Sequence, residues 1–376
     1  MTHASTRTRT LRKFAELPLV LGVVTCVAVL AGFDPVGGPT APNNLLWSGW
    51  LVACVILCAI RAMTHADHLA ERFGEPVGTI ILTLAAITIE VAAVCAMMLG
   101  SGGSPTVARD SMFSVIMVIL NALVGGCMIL GSFRRGEQAF NPDSSSAYLP
   151  LLITLGTLTL VLPRFTHSSL GGWMSDSMEV FIGGGSLVVY LAFLWMQTSR
   201  YRGFFAVGTP ATVEHAAPLP PLGRSIALLL VSLVLVVISS KGLAGHLPPL
   251  LDALHLPQPF AGVVIAAMVL APEGFAALRA SARGDMQRSI NVLLGSAIAT
   301  IGLTVPAVLA VRAITGSDPE LGLEPPYIVL FALTFIASSL NLARGRVNAI
   351  QGLVHLLIFI SWIATIIDES LPPELP

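Results

Sequence analysis

VGTIILTLAAITIEVAAVCAMML, residues 77–99, is an apolar run whose one charged side chain, Glu90, sits in its interior. A helix needs about 20 residues to cross the hydrocarbon of a bilayer, so this stretch reads as a membrane span with an acid inside it. A second stretch of the same kind, FAGVVIAAMVLAPEGFAALRA (260–280), carries Glu273. Outward from these two, runs of span length recur along all 376 residues. Eleven are predicted, near Leu17–Phe33, Leu45–Met63, Val77–Leu99, Met112–Gly131, Tyr148–Pro163, Val180–Met196, Ser225–Ser240, Phe260–Leu278, Ile290–Val311, Tyr327–Leu342 and Ile350–Ile367. Composition agrees: 55% of residues are hydrophobic and 11% charged, against about 25% charged in an average soluble domain, and mean hydropathy is +0.82. The expectation is an all-α polytopic membrane protein whose surroundings are a lipid bilayer. A net charge of −1 offers no basic field for a phosphate backbone, which excludes nucleic acid as a partner.

All five cysteines (Cys26, Cys54, Cys58, Cys95, Cys127) fall inside apolar runs and read as small buried hydrophobes, not as a disulfide framework. Cys54 and Cys58 share a helix face at i, i+4 but lack the further ligands of a zinc or copper site.

Orientation follows from Lys and Arg, which concentrate in cytoplasmic loops. Sixteen lie in the N-terminus (Arg7, Arg9, Arg12, Lys13) and in alternate loops containing Arg61 and Arg72, Arg134 and Arg135, Arg200 to Arg224, Arg279 to Arg288, and Arg344 and Arg346; the other loops hold four, Arg109, Arg164, Lys241 and Arg312. One miscounted span would mix the two sets. The split therefore predicts a cytoplasmic N-terminus and a periplasmic C-terminus. The first span follows basic residues without a small-x-small cleavage site and reads as an anchor. The longest polar connection, 198–223, is rich in Pro and Ala and divides the chain into residues 1–44 with the first span, a five-helix repeat at 45–197, the cytoplasmic linker, a second five-helix repeat at 224–368, and a tail at 369–376. Two five-helix units in series have opposite topology, the arrangement of inverted-repeat transporters.

Glu90 and Glu273 each lie in the second helix of a repeat, and an acid within a span is a functional candidate because burying its charge costs several kcal/mol. Pro272 and Gly274 flank Glu273 and predict local unwinding that exposes backbone carbonyls, which are ligands for hard cations. Thr83 and Thr79 share the face of Glu90. The fourth span carries Ser114, Asn121 and Gly125 on one face, and the ninth carries Ser289, Ser296, Thr300 and Thr304; such stripes serve either as cavity lining or as packing between helices. His355, the one histidine deep in a span, reads as a neutral ring hydrogen-bonded between helices, with a proton relay as the alternative. His65, Asp67, His68 and Glu71 cluster on a short turn before the third span, as a solvated interface or a metal site. The chain contains no Walker loop, nucleophile elbow or H-E-x-x-H motif, so a primary pump or an intramembrane metalloprotease lacks its chemistry.

The segments HADHLAERFGEPVGTIILTLAAITIEVAAV, ARDSMFSVIMVILNALVGG, LAPEGFAALRASARGDMQRSINVLLGSAIATIGLTVPAVLA and GRVNAIQGLVHLLIFISW resemble the bacterial calcium–proton and sodium–proton antiporters of the cation/calcium exchanger superfamily. The resemblance implies ten core helices in two inverted repeats, with Glu90 and Glu273 at the cation site and Asn121, Ser296 and Thr300 near it. It implies residence in a bacterial inner membrane, with inorganic cations and protons as the transported partners and no resident cofactor. Two departures stand out. Superfamily members place Gly-Asn four and three residues before each glutamate, where this chain has Ala86 and Ile87, and Val269 and Leu270; and the linker carries a single acid, Glu214, in place of an acidic stretch.

Two carboxylates suit one divalent ion or two protons, not both together, so competition couples the fluxes. The expected activity is export of Ca2+, with Na+ as a further cargo, against inward protons, through Glu90 and Glu273 as the metal ligands. The alternatives are a monovalent Na+ or K+/proton antiporter and a membrane-embedded enzyme acting on lipid, for which only the His65–Glu71 cluster is on offer. The topology is directly testable: a reporter fused after Asp368 is expected to report the periplasm and one within 198–223 the cytoplasm. A cytoplasmic C-terminus would refute the eleven-span count.

Overall fold

The computed structural model describes residues 16–33, 43–74, 77–99, 105–166, 173–200, 219–316 and 318–369. Most of the linker, including Glu214, lies outside the described residues, as do residues 1–15 and 370–376. Eleven helices are described: α1 (Leu17–Leu30), α2 (Asn44–Phe73), α3 (Val77–Met98), α4 (Val107–Arg135), α5 (Pro142–Phe165), α6 (Asp176–Thr198), α7 (Leu222–Ala253), α8 (Phe260–Ala282), α9 (Met286–Thr315), α10 (Pro325–Leu342) and α11 (Ala349–Asp368). They match the eleven expected runs and make the protein all-α. Ten are long and apolar enough to cross a membrane; α1 is shorter. It stops early because Gly32 takes φ +67 and the Phe33 N–H turns back to the Ala28 carbonyl at 2.9 Å, a glycine-terminated helix end.

Helix faces are sorted as a bilayer requires, with large apolar side chains outward. On α10, Val329, Leu333, Ile336 and Leu340 are exposed, whereas Thr334 and Ser338 are fully buried beside Phe331 and Phe335. With lipid outside, polar groups gain by turning toward other helices.

The chain forms two compact units, Met1–Ser101 with Pro218–Leu250 and Gly102–Ala217 with Leu251–Pro376, which cut across the two five-helix halves of the sequence. In the first, α1 packs on α2 through a buried polar seam: Trp50 Nε1 donates to Thr25 Oγ1 at 3.0 Å, and Thr25 lies 3.3 Å from Cys54 Sγ. A Cβ on Gly22 would lie 2.7 Å from Cys58 Sγ, so glycine sets the closeness of the two helices. Cys26 Sγ donates to the Leu235 carbonyl of α7. The five cysteines are free thiols, four buried and Cys95 half-buried, as expected of small core residues. Glu16, at the start of α1, binds Arg61 of α2 at 2.9 Å and lies 3.6 Å from Arg224 of α7.

In the second unit α4 is the axis, packed by α8, α9 and α11. Its α-helical hydrogen bonding gives way to a π turn at Val118–Leu123, and α5 contains another at Thr157–Val161. Where α11 crosses α4, Gly125 and Gly352 face each other, and a Cβ on Gly352 would lie 2.7 Å from the Gly125 carbonyl oxygen. Sequence gave no sign of either π turn, or of the short antiparallel pair β1 (Gln138–Ala139) and β2 (Arg346–Val347), in which Gln138 pairs with Val347. β1–β2 joins the α4–α5 and α10–α11 loops, both from the arginine-rich set.

The arginine-poor loops meet through ion pairs. Arg109, nearly buried, bonds Asp110 at 2.9 Å, Glu320 at 3.1 Å and the Gly322 carbonyl; Arg164 bonds Glu324 at 2.8 Å. Arg312 pairs with Glu179, with Asp176 at 3.0 Å and with Asp318 at 2.6 Å. Burial holds the Glu320 carboxyl above its ordinary range, against the opposing pull of Arg109. Within this unit the arginine-poor loops thus touch one another, as do the α4–α5 and α10–α11 loops.

Two expectations are corrected. α8 runs unbroken through Pro272 and Gly274, because a proline removes one donor and strains one carbonyl while the remaining i to i+4 bonds hold the helix. The His65–Glu71 cluster lies on no separate turn: it forms the last turns of α2, which continues to Phe73. Gly352→Ala is expected to push α11 off α4 and lower stability by about 1–3 kcal/mol, the usual cost of overpacking, read as a fall in the thermal midpoint of the detergent-solubilised protein.

Candidate cation and proton site

Both glutamates singled out by sequence are turned away from the outer surface. Glu90, on α3 in the first unit, is 3% exposed, and Glu273, on α8 in the second, is 9% exposed. Thr83, two turns before Glu90, is half-buried, as is Pro272 beside Glu273. Both helices are continuous at the positions where the superfamily carries Gly-Asn: Ala86 and Ile87 lie within α3, and Val269 and Leu270 within α8.

In the second unit, Asn121, Glu273, Ser296 and Thr300 belong to segments that pack on one another, because α8 and α9 both lie against the π turn of α4. Gly274, next to Glu273, meets Leu123 at the end of that turn, where an added Cβ would lie 3.0 Å from the leucine. Asn121 and Thr300 are fully buried and Ser296 half-buried. The Asn121 carboxamide is held on both sides: Nδ2 donates to Thr334 Oγ1 at 2.9 Å and approaches Met117 Sδ at 3.5 Å, while Oδ1 lies 3.2 Å from His355 Nδ1. Three helices, α4, α10 and α11, thereby converge on one side chain. Asn121 was anticipated from its helical face; Thr334 was not, because a threonine in an apolar span usually bonds its own helix backbone.

The remaining candidates divide. Ser114 is buried where Gly262 of α8 approaches it, an added Cβ there lying 2.9 Å from Ser114 Oγ. Ser289 Oγ donates to the Ala277 carbonyl at 2.7 Å and so ties α8 to α9, the packing role of its stripe. His65 is buried within 3.5 Å of Glu16 and stands edge-on to His68. Among the described residues no group of three or more His, Cys, Asp or Glu is placed to hold a metal ion.

Residues 43–199 and 224–367 match the family model of the sodium/calcium exchanger protein. The chain belongs to the sodium/calcium exchanger family. Among its relatives is y4hA of Sinorhizobium fredii, an ionic transporter by name, 40% identical over 321 residues that cover 84% of this chain and 86% of the relative. ChaA of Escherichia coli, by name a sodium-potassium/proton antiporter, is 30% identical over 318 residues covering 83% of this chain and 86% of ChaA. The native YfkE structure shares the fold, with a TM-score of 0.73 at 14% identity over 93% of this chain and 99% of YfkE. Membership makes this exchanger-family chain a multi-pass membrane transporter of inorganic cations, and its relatives are transporters by name, not lipid-modifying enzymes.

Proposed function

We propose that the chain is a cation/proton antiporter of a bacterial inner membrane that exports Ca2+, with Na+ as a further cargo, in exchange for protons. The observation that carries this reading is a buried glutamate in the second helix of each half of the family match, Glu90 and Glu273. Both side chains bind cation or protons in turn, never both fully, and that competition couples the two fluxes. Ser296 and Thr300, on the helix packed against that of Glu273, would supply neutral oxygens, and Asn121 the carbonyl lone pair that His355 leaves unused. Oxygen donors favour Ca2+ or Na+ over soft metals.

One observation favours a second reading, monovalent Na+ or K+/proton antiport. Ca2+ takes 6–8 oxygen ligands, and unbroken α3 and α8 keep their backbone carbonyls inside the helices; the 30% identical relative is a sodium-potassium/proton antiporter by name.

Everted vesicles with an acid interior separate the two. Ca2+ added outside is expected to dissipate the proton gradient, at concentrations that reflect weak affinity. Dissipation by Na+ or K+ with none by Ca2+ would establish the monovalent reading. In the same vesicles Glu90→Gln and Glu273→Gln are each expected to reduce exchange to background while inserting at normal levels, since neutralising a buried acid removes a desolvation cost. Glu→Asp at either position is expected to keep partial activity with a displaced pH optimum. Exchange at the unmutated rate in a normally inserted Glu90→Gln protein would overturn the two-glutamate mechanism.

A further inference from the structure

The second unit treats the helices around Asn121 differently toward its two ends. Asn121, Thr334 and His355 meet at one level of α4, α10 and α11. About two turns away on each helix, toward the arginine-poor end, stand Phe113, Tyr327 and Trp362. All three are buried, with the Phe113 ring 5.4 Å from that of Tyr327 and 5.9 Å from that of Trp362. Rings packed in this way close the space between the helices to water. Beyond them Arg109 is bonded to Asp110 and Glu320, and Tyr327 Oη donates to Glu369. Ser111, a buried hydroxyl without a hydrogen-bond partner among the described residues, precedes Phe113 on α4 and so lies outside the aromatic cluster.

Toward the arginine-rich end, α10 carries Ser338 one turn and Asn341 two turns beyond Thr334, on the face that Thr334 turns to Asn121. Ser338 is 0% exposed, and neither its hydroxyl nor the buried Asn341 NH2 has a hydrogen-bond partner among the described residues. Packing does not account for them. A serine that joins membrane helices bonds across to a neighbour, and one that only fills space returns its proton to the carbonyl four residues back, as Ser361 does to Leu357 and Thr365 to Ser361 on α11. Ser338 does neither. A buried polar atom left unmet lowers stability, so alanine would serve a purely structural role better.

The layout of the three helices decides which of them walls a path at this level. α4 and α11 touch backbone to backbone where Gly125 faces Gly352, which leaves no passage between them. α10 is the helix that offers polar atoms there. Its opposite face, with Val329, Leu333, Ile336 and Leu340, is exposed and apolar, so the stripe is turned away from lipid.

We propose that Ser338 and Asn341 line a water-filled inlet through which a hydrated inorganic cation reaches Asn121 from the arginine-rich end, closed beyond Asn121 by the cluster of Phe113, Tyr327 and Trp362. Water in the inlet meets the two unpaired groups. The hydroxyl and carboxamide oxygens then replace part of the cation's hydration shell, for Na+ and Ca2+ alike. The inlet rests on the cation/proton antiport reading of the same site.

Ser338→Cys places a thiol on this wall with little change of volume. Everted vesicles containing the full chain, whose outer surface is the cytoplasmic face, are treated with a membrane-impermeant cationic thiosulfonate. Modification is compared with that of Ile336→Cys, on the exposed face of α10, and of the unmutated chain with its five native thiols. S338C is expected to react at least about tenfold faster than I336C, because a thiol against hydrocarbon stays protonated whereas one in water forms the reactive thiolate, and saturating Na+ or Ca2+ is expected to slow that reaction. Modification no faster than in I336C or the unmutated chain, or modification only in right-side-out vesicles, would overturn the proposal. So would fast modification indifferent to both cations, which marks water without a cation path. If S338C does not accumulate, Asn341→Cys carries the same test with the same outcomes. Unmutated vesicles that release no protons with either cation would refute the antiport reading itself, a result read separately from the labelling.

Discussion

A glutamate carried in the interior of an apolar span can keep its charge only where lipid does not reach it, and this constraint orders the helices that carry Glu90 and Glu273. Insertion of a charge near the centre of hydrocarbon costs several kcal/mol, more than a pair of helix–helix hydrogen bonds, at about 0.6 kcal/mol each, returns. Each acid is accordingly buried, while large apolar side chains are exposed on the same helices, Ile80 and Leu84 on α3 and Phe275 on α8. The inside-out sorting of α10, with threonine and serine in and branched aliphatics out, is the same rule applied to neutral groups.

The constraint also explains where irregular backbone is found. A membrane helix tolerates a break in its ladder only where neighbouring protein meets the freed groups. The π turn at Val118–Leu123 is enclosed by α8, α9, α10 and α11, and Val118 through Asn121 are buried. In this unit the irregular backbone lies around Asn121, on the helix that the Glu273 helix packs against, and not at Glu273 itself. π turns recur at functional sites because the inserted residue redirects a side chain. In this chain the redirected amide meets a threonine and a histidine from two other helices.

Much of this was legible in the sequence, and the part that was not has a physical cause. Span positions follow from hydropathy because nothing but length and apolarity is needed to cross hydrocarbon. Glu90, Glu273 and Asn121 stood out because polar groups are rare and costly there. Pro272 misled: a proline next to a glycine and an acid reads as a break, yet α8 loses one donor and continues. The π turn left no trace, since it arises from packing around α4 and not from any residue's local preference. Thr334 was hidden for the same reason. Its partner lies 213 residues away, and a hydroxyl at that position is compatible with bonding its own helix.

Charge at the arginine-poor end of the second unit follows from how its cations are held. Arg109 and Arg164 sit among Asp110, Glu320 and Glu324, and Arg312 sits among Asp176, Glu179 and Asp318, so three guanidinium groups face six carboxylates. The planar fork of arginine lets one group serve several carboxylates at once, which cross-links the ends of α4, α5, α6 and α9 to the loop before α10 with few cations. The surplus is negative. Over a screening length of about 8 Å at physiological ionic strength, that surplus raises the local concentration of cations of either valence. It acts on charge alone and therefore serves cations of either valence, so this end of the unit draws cations in without choosing between them.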